Sequence, residues 1–310
     1  MESIVITGAT SMLGVSLVRA ALAGTGIRKI YAVIRENTAK ADRLPDDERI
    51  ELVRCDIGQY AGLHKIIKKA DAFFHLAWKL TGKQRNTDIY GQAENIKFAL
   101  DALSSAKEMG CGKFICTGSQ AEYGDTDAVK ISPHTAAEPA DAYGIAKFCA
   151  GKLVGLEAKK LGMDCFWVRV FSVYGEYDLP TTMVSSAVAA LMRGESPEFT
   201  PAENIWDFLY SDDAGKALFM IGQKAKGNKV YCLGSGEGKP LKEYIETIGK
   251  TVNPDITLKI GAAAYPGGRC RNICADISEL AKDTGWKPEI RFEEGIRRVH
   301  GFFKNKGIQR

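Results

Sequence analysis

The 310-residue chain has little of what marks a secreted, metal-holding or membrane-bound protein. Its eight cysteines include no CxxC pair. Four histidines, of which only His300 lies in the last third, leave no Cys/His grouping at zinc-ligand spacing. Buried free thiols are expected, and no metal. No uninterrupted apolar run approaches membrane-spanning length, because the longest early charge-free stretch, Ser3 to Val18, is broken by Thr7, Gly8, Thr10, Ser11 and Gly14. Met1-Glu2-Ser3 passes straight into a strand-like run without the basic region and small-residue cleavage site of a secretory signal, so a cytoplasmic chain is expected. Charge of one sign is scarce too: 42 Lys+Arg against 38 Asp+Glu leave a formal +4 spread along the chain. That argues against nucleic acid as a partner and leaves room for a local basic pocket around a phosphorylated ligand. Repeats, low-complexity tracts and long linkers are lacking as well.

What is present is 45% hydrophobic residues, enough for a substantial core in one large or two modest domains. Short β-branched or aromatic runs at 4–7, 30–34, 50–53, 72–76 and 113–117 alternate with stretches of helical period at 15–23, 62–69, 92–109 and 142–161, and a further strand follows at 166–171. Strand and helix in turn predict an α/β fold, a doubly wound parallel sheet covered on both faces. After residue 176 seven prolines punctuate shorter elements, and only Val230-Tyr231-Cys232-Leu233 reads as another core strand. The expected organisation is a dinucleotide-binding domain over 1–175 and a smaller, irregular substrate lobe over 176–310, with 229–233 returning to the sheet.

Three groups of residues carry chemistry. The first strand runs into Thr7-Gly8-Ala9-Thr10-Ser11-Met12-Leu13-Gly14 and then a helix. There glycine permits a tight bend, and the helix N-terminus offers free N–H groups and a positive dipole to a pyrophosphate. Tyr143 and Lys147, four apart, share one face of a helix, where an ammonium stabilises a phenolate and makes tyrosine usable in proton transfer. Ser119 follows the fifth strand, at the carboxyl edge where α/β sites form. At the end of strand two, Arg35 suits a ribose 2′-phosphate better than a free hydroxyl and tips the balance to NADP(H), although Glu36 follows it and keeps NAD(H) open.

These motifs resemble those of the extended short-chain dehydrogenase/reductase superfamily, the nucleotide-sugar epimerases, dehydratases and reductases. The loop resembles TGxxGxxG with Ser11 at the middle glycine. Thr117-Gly118-Ser119-Gln120-Ala121-Glu122-Tyr123-Gly124 resembles the S/T-x-x-x-Y-G segment, Tyr143 to Lys147 the YxxxK pair, and Arg169-Val170-Phe171-Ser172-Val173-Tyr174-Gly175 the R-x-F-N-x-Y-G segment. The resemblance implies a Rossmann fold and NAD(P)(H), held by Gly8, Ser11, Met12, Leu13, Gly14, Arg35, Asp56, Ile57, Leu76, Ala77, Trp78, Thr117, Tyr143, Lys147, Phe171 and Val173. It implies catalysis by Ser119, Tyr143 and Lys147. A nucleotide-sugar substrate would meet Ser119, Gln120, Ser172, Tyr174, Trp206, Tyr210 and one of Arg269 and Arg271. Trp206 stands where the family segment has an arginine. Gln120 and Ala121 occupy the Asp-Glu positions of the dehydratases and cannot exchange a proton, which disfavours dehydration. The expected activity is a 4-keto reductase, with a 4-epimerase as the alternative and a non-catalytic NADP-binding regulator behind both. A homodimer through the 92–109 and 142–161 helices is also implied.

Overall fold

The computed structural model describes residues 1–82, 84–265 and 272–307. Strand and helix alternate first as β1 (Ser3–Thr7), α1 (Met12–Ala23), β2 (Lys29–Ile34), β3 (Ile50–Arg54), β4 (Ala72–His75), α2 (Ile89–Glu108), β5 (Lys113–Ser119), α3 (Ala142–Lys160) and β6 (Asp164–Val170). The chain continues as β7 (Ser172–Tyr174), α4 (Met183–Met192), β8 (Glu198–Phe199), β9 (Ile205–Trp206), β10 (Phe208–Tyr210), α5 (Ser211–Lys224) and β11 (Asn228–Leu233). It ends with β12 (Lys239–Pro240), α6 (Leu241–Val252), β13 (Lys259–Ile260), α7 (Ser278–Thr284) and α8 (Phe292–Asn305).

Ile4, Val5 and Ile6 are wholly buried, as are Phe73 and Phe74 on β4 and Phe114 and Ile115 on β5, because these strands have helices on both faces. Among the described residues the main sheet has seven strands in the order β11-β6-β5-β4-β1-β2-β3. All pair in parallel, with β1 in register against β4 from Ile4↔Ala72 to Thr7↔His75. This is a Rossmann-type doubly wound sheet, whose order reverses between β1 and β4, so the crevice for ligands opens there at the carboxyl edge. On one face α1 and α5 supply Leu17, Val18, Ala21, Ala217, Leu218 and Ile221 to the core. On the other, α2 and α3 supply Ala99, Leu103, Ala106, Ala150, Val154 and Ala158.

The helix expected over 62–69 is instead a 3-10 turn, Ile57–Lys65, closed by a capping box between Asp56 and Gln59. Gly58 and Gly62 weaken an α-helix in that stretch. Burying Tyr60 and Leu63 takes only a short turn. The later elements α4, α6 and α8 enclose a separate core that includes Val188, Leu191, Ile245, Ile248, Ile296 and Val299.

Candidate active site

Thr7 ends β1 and Gly8 turns the chain with φ +69. A side chain at Gly8 would be strained there, and its Cβ would lie 2.9 Å from the Ala77 backbone nitrogen. At Gly14 a Cβ would lie 2.3 Å from the Gly8 carbonyl oxygen, so the first turn of α1 rests directly on the loop. Ser11 has φ −73, which any residue adopts, so the middle glycine of the motif is not needed for conformation. Its hydroxyl accepts from the Gly14 N–H at 3.1 Å and caps α1. The Met12 and Leu13 N–H groups, in the first helical turn, have no intrahelical carbonyl to meet. The pinched loop and these free donors fit a dinucleotide pyrophosphate. Gly14→Ala is expected to cost roughly 1–3 kcal/mol in stability and at least tenfold in dinucleotide affinity. Fluorescence titration with NADH and NADPH checks it; parental affinity for both would contradict the fit.

The turn after β4 is fixed from behind. His75, buried and driven down to about 3 by desolvation, is neutral and meets the Thr7 hydroxyl at 3.0 Å. That hydroxyl also accepts from the Ala77 N–H at 3.4 Å. Leu76, Ala77 and Trp78 are thereby held beside Gly8. Asp56, past β3, accepts from the Glu36 N–H at 3.3 Å, and Ile57 begins the 3-10 turn. Arg35 is exposed at the end of β2 and does not stand alone. Arg43 donates to the Thr10 carbonyl at 3.2 Å and lies over Tyr177, 4.7 Å from the ring centre. Burial, then Arg43 and Arg35, lowers the Lys40 ammonium below its ordinary range. Three cations thus gather beside the glycine loop, two of which the motif reading missed for want of a fixed spacing.

Ser119, the last residue of β5, is only 9% exposed. Its hydroxyl caps a short 3-10 turn, Gln120–Tyr123, by accepting from the Ala121 N–H at 3.1 Å, and lies close enough to the Tyr143 phenol to favour its phenolate form. Asp141 caps α3 from the Gly144 N–H at 2.7 Å, which presents Tyr143 and Lys147 on the first turns of that helix. Lys147 is buried and donates to the Thr117 carbonyl at 2.7 Å. Its ammonium sits 3.7 Å from the centre of the Trp78 ring but 5.8 Å from that of Tyr143, and burial pulls it down to about 8. Burial pushes the Tyr143 phenol up, whereas Arg85, 4.5 Å from the ring centre, and then the Ser119 hydroxyl pull it back. The cation nearest the phenol face is therefore Arg85 and not Lys147. Arg85 lies in an irregular loop, where no periodicity or motif could have marked it.

Glu122 explains why the turn after Ser119 is rigid. Its carboxylate accepts from the Ser119 N–H at 2.8 Å, the Trp167 indole at 2.9 Å and the Arg169 guanidinium at 2.8 Å. All its oxygens are committed to structure.

On the substrate side, Gln120 Oε1 and Trp206 Nε1 are buried polar atoms that meet no hydrogen-bond partner among the described residues. Ser172 is partly exposed at the start of β7, opposite Phe208 in register. Val173 packs on the main core and Phe171 is buried beside Tyr123. The structure places Tyr174 and Tyr210 elsewhere than expected. Both are buried in the second core with rings 5.5 Å apart, and Tyr174 donates to the Phe292 carbonyl, because their side chains face α8 and not the crevice. Arg269 and Arg271 lie outside the described residues. No helix among the described residues is long and apolar enough to cross a membrane.

A dTDP-glucose 4,6-dehydratase of Escherichia coli K12 is 24% identical over 96% of this chain and 91% of its own length. A Methanocaldococcus jannaschii protein provisionally named a UDP-glucose 4-epimerase is 24% identical over 97% and 98%. The UDP-N-acetylglucosamine 4-epimerase of Methanobrevibacter ruminantium M1, solved with UDP-N-acetylmuramic acid, superposes with a TM-score of 0.88 at 23% identity, covering 98% of this chain and 99% of that one. The model of the NAD dependent epimerase/dehydratase family matches residues 4–234, from β1 to just past β11. With the glycine loop, the serine and the YxxxK pair converging on one sheet edge, the chain belongs to that family, within the extended short-chain dehydrogenase/reductase superfamily.

Proposed function

We propose that the protein uses NAD(P)(H) to move hydride to and from a carbon of a nucleotide-activated sugar, interconverting epimers at C4. The observation that carries this is the Ser119 hydroxyl beside the Tyr143 phenol at the carboxyl edge, next to a loop pinched for a pyrophosphate. The dinucleotide supplies the hydride acceptor and donor. Tyr143 takes the hydroxyl proton as the carbinol carbon is oxidised and returns it on reduction, while Ser119 donates to the same oxygen. Lys147, fixed on Thr117, supplies positive charge at the floor of the cleft. Dehydration has no acid–base pair here, since Gln120 and Ala121 carry no group that titrates near neutrality and Glu122 is spent on Arg169 and Trp167. The orphan acceptor of Gln120 and the orphan donor of Trp206 suit a polyhydroxylated ligand. The epimerase relatives, aligned over nearly their full lengths, favour epimerisation.

A second reading, a 4-keto reductase drawing on NADPH, is favoured by the Arg35, Lys40 and Arg43 cluster, whose charge suits a 2′-phosphate. In either case a homodimer is supported by the apolar side chains that α2 and α3 leave exposed, among them Tyr90 at 88%, Ile145 and Leu156.

Chromatography of the nucleotide released on denaturation, followed by incubation with UDP-glucose and UDP-N-acetylglucosamine, tests the reading. Retained NAD and conversion to the C4 epimer support it. An empty site with at least tenfold preference for NADPH over NADH, and reduction of a 4-keto sugar, establish the second reading instead.

A further inference from the structure

The carboxylate of Asp141 does more than cap α3. One oxygen accepts from the Gly144 N–H, while the other accepts from the Asn86 amide at 3.2 Å and pairs with Arg85 at 3.9 Å. The loop between β4 and α2 is thereby registered to the turn of helix that carries Tyr143. The guanidinium carbon of Arg85 lies 4.5 Å from the centre of that tyrosine's ring, and Trp78 packs edge-to-face on the same ring with centres 6.3 Å apart. Lys147 spends its ammonium on the Thr117 carbonyl and the Trp78 face.

The geometry points to Arg85 as a positioning residue of the reaction: held by Asp141 over the face of Tyr143, it steadies the ring and, alongside Lys147, stabilises its phenolate form. A cation over an aromatic face is attracted to its negative quadrupole, and a phenolate is a stronger partner than a phenol. The other groups that act on Tyr143 are Ser119 and Glu122 from the turn after β5, Asp141 at the helix cap and Lys147 one turn along α3. Glu122 and Asp141 oppose the phenolate, Ser119 favours it, and Arg85 is the largest favourable influence among them. Asp141 is drawn two ways, disfavouring the phenolate by its charge while seating the cation that favours it.

The inference rests on Tyr143 being the proton-transferring group, and its test separates the two. Absorbance titration of the phenolate in parent and Arg85→Gln protein, each corrected with the matching Tyr143→Phe background, reads Tyr143 directly. In the variant the titration is expected to move up by about one pH unit. At neutral pH kcat is expected to fall about tenfold with little change in KM, and to recover as pH rises. Arg85→Lys restores most of the loss, as does guanidinium added to Arg85→Ala. An unmoved titration overturns the role of Arg85, and so does a loss confined to KM with an unshifted pH profile. Full activity of Tyr143→Phe would instead overturn the underlying reading.

Discussion

Replacing Tyr143 by phenylalanine is expected to lower turnover about 10²–10⁴-fold while leaving the fold and the dinucleotide affinity in place. The substitution removes a single oxygen. It takes the phenol oxygen away from the Ser119 hydroxyl and preserves the ring that Trp78 and Arg85 pack against. Stability and chemistry are therefore separable at this position. Turnover of UDP-sugar, dinucleotide titration and thermal melting on the same preparation measure all three. A variant as active as the parent would remove Tyr143 from the mechanism; dinucleotide binding with no turnover by either protein would revive the reading of the chain as an NADP-binding regulator.

Glu122→Ala is expected to act in the opposite way, on the fold first. The Glu122–Arg169 pair is buried, with side chains 1% and 6% exposed, and removal of the carboxylate strands a guanidinium, an indole N–H and the Ser119 backbone N–H without an acceptor. Breaking a buried ion pair from one side costs roughly 3–5 kcal/mol. For a chain of this size that amounts to a melting temperature lower by about 10 °C. Glu122→Gln keeps one acceptor oxygen and the side-chain shape, so it should fold and retain turnover within about tenfold. Differential scanning fluorimetry beside an activity assay checks both. A folded Glu122→Gln as inactive as Tyr143→Phe would show that Glu122 moves a proton and would reopen dehydration.

Most of the first half was legible in the sequence because buried parallel strands are written as short apolar runs, and because the glycine loop, Ser119, Tyr143 and Lys147 occur at spacings dictated by backbone geometry. The structure differs where several weak signals compete. The apolar positions at 62–69 have helical period, yet the two glycines nearby and a short crossover favour a 3-10 turn. Tyr174 and Tyr210 carry hydroxyls that suggest a ligand, but burial of their rings against Phe292 and each other dominates. Arg85, Lys40 and Arg43 were illegible for another reason: they reach the site from irregular loops, where position depends on tertiary contacts such as the Asp141 pair. The spacing of Tyr143 and Lys147 placed the ammonium on the phenol's face of α3, but it could not show that the ammonium would lie over Trp78 as well.

The return of β11 to the edge of the sheet governs how the molecule moves. That strand comes late in the chain yet is hydrogen-bonded along β6, and α5 packs so closely on α1 that a Cβ at Gly215 would lie 2.3 Å from the Ser16 carbonyl carbon. Side chains from both halves of the sequence belong to one core beside the sheet, with Leu17 and Val18 in the same cluster as Leu218, Tyr231 and Trp286. Bodies that share a core cannot swing about a hinge without opening it. The strands and helices of that shared core thus form a frame that stays still, and rearrangement around a ligand falls to the segments outside it, among them α4, α6 and α8 with a core of their own.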